Sequence, residues 1–188
     1  MQVSKDLLGK VLVSNFDNIK TSGIIVETEA YRAPDDKASH AYQNRFTDRT
    51  KVMFEKGGLA YVYLCYGIHH LFNVVTAKNG MAHAVLIRAI EPFEGLDMML
   101  KRRAFDRIKP QLTAGPGVMS KALGITTTYT GTDLTNSTSN IWIEDHGKSF
   151  KPNSIIESPR VGVDYAEECA QWPWRFRVEG NKWTSKAK

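Results

Sequence analysis

The sequence predicts an α+β fold: a single domain with a curved, mostly antiparallel, open-barrel-like sheet, surrounding helices and a protruding β-hairpin. Three observations lead to the class. Strand-like runs recur without regular alternation with helices, which disfavours a parallel βαβ sheet. Helical spacing is confined to a few short stretches, chiefly residues 94–103 and 118–123. The 188 residues contain no repeat, low-complexity tract or Ser/Gly linker, as expected of one domain, 1–188, able to bury a core without disulfides.

The elements follow in order. Lys10-Val11-Leu12-Val13 and residues 23–31 read as strands joined through the turn-rich Asn15-Phe16-Asp17-Asn18. With period two, Ile25, Glu27, Glu29 and Tyr31 share one face of the second strand, and Ile24, Val26, Thr28 and Ala30 share the other. Two carboxylates and a phenol in an interior-looking strand are costly unless paired, hydrated or used. Residues 32–56 form a long, polar, basic loop, a length that points to function or disorder, and His40, Arg45, Thr47 and Arg49 favour function. Residues 59–66 form an aromatic strand and Leu71-Phe72-Asn73-Val74-Val75 its partner, with a hairpin apex near Gly67-Ile68. That apex sets Tyr63 about opposite Asn73 and leaves Tyr66 and Ile68 at the tip.

After the turn at Asn79-Gly80, residues 84–90 form a strand in which Arg88 interrupts an apolar run and needs Glu27 or Glu29 as partner. Residues 94–103 read as a helix, acidic at its start and basic at its end, with Met98 and Met99 filling core. Gly115-Pro116-Gly117 leads into a helical run stopped by Gly124, and is either a plain junction or a source of N–H groups for a phosphate. Ile141-Trp142-Ile143 is a strand, residues 160–163 a loop or short strand, and residues 166–170 one or two helical turns. Residues 174–178 are a strand in which Trp174, Phe176 and Val178 oppose Arg175 and Arg177.

Net charge is +5 and the sequence pI about 9.2, in the direction of a protein that meets phosphate. Basic residues cluster at Arg45, Arg49 and Lys51, at Lys101-Arg102-Arg103 with Arg107 and Lys109, and at Arg175 and Arg177; each cluster is also compatible with solvated surface. Cys65 and Cys169 lack metal-ligand spacing and read as free thiols of a reducing compartment. No apolar run approaches the roughly 20 residues of a membrane span, and no signal-peptide core opens the chain, so a soluble intracellular protein is expected.

Glu27, Glu29, Tyr31, His40, Tyr61, Tyr63, Tyr66, Asn73 and Arg88 are the residues out of keeping with plain core or surface. A carboxylate beside an arginine stays ionised and can act as general base toward water. Aromatic faces from Tyr31, His40 and Tyr63 suit a flat π-system whose edge an Asn can read, and basic clusters suit a phosphate backbone. Plainer readings stand beside these: a solvated His40, and half-buried sheet tyrosines. His69 and His70 are neighbours on opposite faces of a strand, and no HExxH, CxxC or GxxxxGK[ST] run is present, so no metal site is expected. The residues alone give a hydrolytic or binding cleft with a carboxylate, suited to nucleic acid.

Several separated motifs in order go further. Ile25-Val26-Glu27-Thr28-Glu29-Ala30-Tyr31, then His40, then Tyr61-Val62-Tyr63-Leu64-Cys65-Tyr66-Gly67 with Asn73, then Val85-Leu86-Ile87-Arg88-Ala89-Ile90-Glu91-Pro92, resemble the alkyladenine (3-methyladenine) DNA glycosylase family of the mammalian type. The likeness runs from Leu7-Leu8-Gly9-Lys10 through Arg160-Val161-Gly162-Val163 to Trp183. It implies that Glu29 is the base for water and that Arg88 helps position that water. It implies that Tyr31, His40 and Tyr63 stack a flipped damaged purine while Asn73 discriminates against the amino group of guanine. Tyr66 would fill the gap in the duplex, with Ile68 and His69 beside it in the minor groove, and Arg45, Thr47 and Arg49 would meet phosphates. The activity implied is hydrolysis of the N-glycosidic bond of 3-methyladenine, 7-methylguanine or hypoxanthine in double-stranded DNA, with no cofactor. With no evident Schiff-base lysine in these motifs, the enzyme is expected to be monofunctional, a monomer, and bacterial and cytoplasmic at the nucleoid in preference to nuclear. The chain departs from the family pattern at Val118-Met119-Ser120, at His69-His70 and at Ile68. Two other readings remain: a lesion-binding protein without catalysis, and a carbohydrate hydrolase using Glu27 and Glu29, about 6–7 Å apart at Cβ by strand rise.

Overall fold

The computed structural model describes residues 1–186; the last two residues of the expected domain lie outside them. Strands β1 (Val11–Phe16) and β2 (Ile19–Arg32) form a hairpin whose two-residue turn, Asp17-Asn18, has positive φ at both positions (55° and 61°). That is the geometry of a type I′ turn, which suits Asp and Asn and matches the twist of the flanking strands. Four further strands complete the main ladder: β3 (Ala60–Cys65), β4 (His69–Val75), β5 (His83–Glu94) and β6 (Ile141–Glu144). They are ordered β3-β4-β5-β2-β1-β6, all antiparallel, while β7 (Ile155–Ser158) pairs with β8 (Arg175–Val178), which in turn pairs with β2. The eight-stranded sheet is open. With the helices described below it makes one α+β domain.

β2 is the hub. Its 14 residues lie along β5 on one edge, and on the other they serve first β1 and then β8, at Glu27–Glu29. The β2–β5 ladder slips twice at its middle: Ile25 pairs with Ile90, Glu27 with Ala89 and Thr28 with Ile87. Val26 and Arg88 are therefore each bulged out of register, and a bulge re-aims side chains that strict alternation would place. Ile25 consequently does not share the face of Glu27 as period two predicts; both Ile25 and Val26 join the main core.

That core lies between the sheet and two helices, α2 (Leu96–Arg103) and α3 (Pro116–Leu123); the short α1 (Gln2–Asp6) sits at the start of the chain. Fully buried Met99, Met119 and Leu123 pack on Ile25, Phe72, Ile87 and Ile90, each burial contributing about 1.5–3 kcal/mol. α2 starts two residues later than its pattern predicts. β5 runs on to Glu94, and Gly95 turns the chain at φ 76° where a Cβ would stand 2.4 Å from the Lys20 carbonyl oxygen.

Two elements carried no usable signal: α1 is five residues long and is tied down by Thr28 Oγ1 donating to the Ser4 carbonyl, and β7 is four residues. The helical turns expected at residues 166–170 are 3₁₀ turns over residues 164–171, kinked at Glu167 (φ 50°). The basic loop after β2 holds two 3₁₀ turns, Tyr42–Asn44 and Lys51–Phe54, and no strand. Ala33, Ala41, Val52 and Met53 anchor it against Tyr61, Val75 and Ala84. A second anchor is fully buried: Arg160 donates Nη1 to Asp36 Oδ2 at 2.6 Å and Nη2 to Asp36 Oδ1 at 2.7 Å.

The β3–β4 hairpin pairs Cys65 with His69, so the tip is Tyr66-Gly67-Ile68. The three-residue loop displaces the register by two from the expected pairing, which keeps each side chain on its face: Asn73 faces Tyr61, and Tyr63 faces Leu71. Both cysteines are free thiols. Among the described residues no helix is long and apolar enough to cross a membrane.

Candidate active site

Glu29 and Arg88 lie in a cleft of about 710 Å³. Of the residues singled out from the sequence, Tyr31, His40, Tyr63, Asn73, Tyr66 and His69 also line it. β2 delivers Glu29, fully buried as a residue but open to the cleft. Its Oε1 accepts the Val161 backbone N–H at 2.9 Å and faces Arg88 Nη1 at 3.1 Å, while its Oε2 accepts the Tyr31 hydroxyl at 2.9 Å. Burial pulls the Arg88 pKa down, but Glu29 and Glu27 outweigh it, so the guanidinium stays charged. Burial, then Glu29, push the Tyr31 phenol well above its usual range, which keeps it a neutral donor to the carboxylate.

Glu27 points elsewhere. It lies behind the cleft, 0 % exposed, accepting Arg88 Nε at 2.7 Å and Arg175 Nε at 2.8 Å. Burial opposes its ionisation; Arg88, the Ser185 N–H and Arg175 together overcome that and hold its pKa below the usual carboxylate value. This corrects two expectations. Glu27 does not face the cleft, so it cannot form a pair of catalytic carboxylates with Glu29, and the carbohydrate-hydrolase reading loses its geometry. Arg175 is buried on Glu27 and is not surface for a phosphate backbone.

The aromatic residues divide differently from a three-way sandwich. His40 and Tyr63 meet edge to face, centroids 4.5 Å apart at 80°, and so form one wall. Tyr31 stands apart, its ring against the Arg160 guanidinium at 4.8 Å and its hydroxyl on Glu29. His40 Nδ1 lies 2.7 Å from the Tyr61 hydroxyl, and its Nε2 lies 3.2 Å from Arg49 Nη2. Arginine can only donate, so Nε2 accepts and the proton sits on Nδ1, directed at Tyr61. Burial, then Arg49, lower the His40 pKa to about 4, so the imidazole is neutral near pH 7. Asn73 Nδ2 donates to the carbonyls of Tyr61 (3.0 Å) and Leu71 (3.2 Å), which pins the amide in the wall.

The hairpin tip projects outward. Tyr66 is 88 % exposed and Ile68 71 %, and Tyr66 adopts a left-handed φ of 51°, a conformation costing a bulky residue about 1–3 kcal/mol. His69 packs against Gly117 at the start of α3, where a Cβ would come within 2.8 Å of the imidazole, so this glycine is required by close approach. His70 turns the other way and accepts the Thr127 N–H at 3.2 Å through Nδ1.

Arg45, Thr47 and Arg49 line a second cavity of about 500 Å³ that shares Ala38, His40, Arg49 and Tyr165 with the first. They are not equivalent. Arg45 is exposed, Thr47 Oγ1 lies 3.1 Å from Thr50 Oγ1, and Arg49 turns inward over the Tyr63 ring at 5.1 Å. Sequence reasoning assigned no role to the Val161 N–H on Glu29, to Arg160 behind Tyr31, or to Tyr165 on the rim. The first is a backbone group and carries no side-chain signal; Arg160-Val161-Gly162-Val163 was visible only as part of a motif.

A buried carboxylate that lines an aromatic-walled cleft, held by an arginine and two donors, can orient and deprotonate a water. Comparison with known proteins points the same way. Residues 1–182 match the model of the methylpurine-DNA glycosylase family. A Chlamydia abortus protein is 49 % identical over 177 residues, 94 % of this chain and 90 % of its own length. A Bacillus mycoides protein is 50 % identical over 192 residues, 98 % of this chain and 93 % of its own, and a Bacillus cereus protein 50 % identical over 194 residues, 99 % and 94 %. Each bears the name "Putative 3-methyladenine DNA glycosylase".

Proposed function

Because the chain belongs to the methylpurine-DNA glycosylase family, we propose that it excises alkylated or deaminated purines from double-stranded DNA by a water that Glu29 activates. The observation that carries this reading is the Glu29 carboxylate, ion-paired with Arg88, bonded by Tyr31 and Val161, and open to the cleft. The water oxygen forms a bond to C1′ of the extruded nucleotide, the electron pair of the glycosidic bond leaves with the base, and the water proton passes to Glu29. A cationic base such as 3-methyladenine or 7-methylguanine departs neutral; hypoxanthine must gain a proton, and neutral His40 is not its source.

Tyr31 on one side and the His40–Tyr63 wall on the other receive the flipped base. Asn73, pinned by two hydrogen bonds, excludes the amino group of guanine because it cannot swing aside. Unstacking costs a few kcal/mol and least for a base that pairs poorly, which selects damage before chemistry begins. Tyr66 fills the vacated stack, with Ile68 and His69 in the minor groove, and Arg45, Thr47 and Arg49 follow the phosphates. The protein acts as a monofunctional glycosylase and a monomer, in the bacterial cytoplasm. The test is release of free base from methylated duplex DNA: Glu29→Gln should lower release by about 10²–10⁴-fold while still binding lesion DNA. Release by that variant at the unsubstituted rate removes Glu29 from the chemistry.

A further inference from the structure

The proposed reaction makes no use of the cluster behind the cleft. Glu27 Oε1 accepts Arg88 Nε (2.7 Å), Arg175 Nε (2.8 Å) and the Ser185 hydroxyl (2.7 Å), and its Oε2 accepts the Ser185 N–H at 2.5 Å. Ser185 also accepts from both arginines: its Oγ from Arg88 Nη2 at 3.3 Å and its carbonyl from Arg175 Nη2 at 3.2 Å. Residue 185 lies well beyond β8, yet it closes the back of the site. Arg88 therefore spends Nε on Glu27 and Nη2 on Ser185, leaving Nη1 to face Glu29 at 3.1 Å. A guanidinium is planar with its donors in a fixed fork, so holding two of its nitrogens sets the direction of the third.

We infer that Ser185 and Arg175 are positioning residues for the hydrolysis: through Glu27 they fix the fork of Arg88, and through it the orientation of Glu29. The inference rests on the glycosylase reading of the site. Two buried carboxylates and two buried guanidiniums balance in charge, so each geometry depends on the other three. Neither Ser185 nor Arg175 lines the cleft, so neither touches substrate.

The readout is single-turnover release of 3-methyladenine from methylated duplex DNA across pH, beside the affinity for a duplex carrying a non-hydrolysable abasic analogue. Ser185→Ala removes the hydroxyl's bonds to Glu27 and from Arg88 while leaving the backbone N–H on Glu27, and should slow release at least about tenfold, the rate equivalent of one such bond, with unchanged affinity. The acid limb should move to higher pH, since a carboxylate held less closely by a guanidinium is protonated more readily. The charged and titratable groups facing Glu29 are Arg88 from β5, Tyr31 on its own strand, Tyr63 from β3 and Arg160 beside Val161, with Glu27 and Arg175 behind Arg88. Ser185→Thr should restore rate and limb. Arg175→Lys, which keeps the charge and loses the fork, is the second variant and should act in the same direction as Ser185→Ala.

Unsubstituted rates and acid limbs in both Ser185→Ala and Arg175→Lys overturn the inference. So does a rate loss that merely follows the unfolded fraction with the limb unmoved. If the unsubstituted chain releases base and Glu29→Gln does not, such a result overturns the positioning role alone. Absence of release by the unsubstituted chain overturns the glycosylase reading and this inference with it.

Discussion

Glu27 and Glu29 stand two residues apart on one strand, both 0 % exposed, and their surroundings make opposite use of the same carboxylate. Glu27 has its oxygens filled by two arginines and by Ser185, and it faces away from the cleft. Glu29 holds one backbone N–H, one phenol and one ion pair, and lines the cleft. A carboxylate offers about four acceptor positions. Where protein donors fill them the group is a structural anchor, and where some stay open to a cavity it can work on a water.

The comparison breaks most readily at Glu29. Glu29→Gln removes the base and should lower release by about 10²–10⁴-fold, the usual worth of a general base, as measured by single-turnover excision. If Glu27 is the anchor, Glu27→Ala should instead show first in urea unfolding, with a loss of about 3–5 kcal/mol because Arg88 and Arg175 are left buried and uncompensated. Its pH dependence has a definite sign. The folded pKa of Glu27 lies below the ordinary carboxyl value of 4.5, so its contribution is present above about pH 4.5 and is lost as pH falls through the folded value. Loss of activity without loss of stability in Glu27→Ala would exchange the two roles.

Smaller effects extend the contrast to the cleft walls. Tyr66→Ala at the exposed tip should weaken lesion-DNA binding by about 1–3 kcal/mol, the worth of an aromatic–base stack, while stability stays within about 0.5 kcal/mol. A thermal shift as large as that of Glu27→Ala would make Tyr66 a packing residue. Least in energy is His40, whose ring protons should titrate by NMR with a midpoint of about 4. Its unfolded value is the higher one, so its share of stability declines as pH is lowered from about 6.5 toward 4. A midpoint near 6.5 would mean an imidazole open to solvent and no wall with Tyr63.

Much of the scaffold was legible because its signals are local. The Asp17-Asn18 turn, the alternation of Arg175 and Arg177 against Phe176 and Val178, and the stop at Gly124 each need only a few neighbouring residues. α1 and β7 escaped because five and four residues carry no periodicity, and tertiary bonds such as Thr28 to Ser4 hold them. The hairpin pairing was missed by two residues because loop length, not composition, sets it, and Tyr66 enters the left-handed region against its own preference.

By itself the sequence determined the α+β class, the placing of Glu29, Tyr31 and Arg88 in strands, and the exposure of the hairpin tip, all of which follow from local patterning and turn chemistry. The family motif already pointed to Glu29 and not Glu27 as the base; only the tertiary structure decided that Arg88 serves both glutamates and that Val161, Arg175 and Ser185 complete the site. The physical reason is that these roles rest on bonds spanning more than 90 residues from β2 or β5, which no local period anticipates. A carboxylate's function depends on which of its oxygens are left unpaired, and that is fixed only when distant segments close around it.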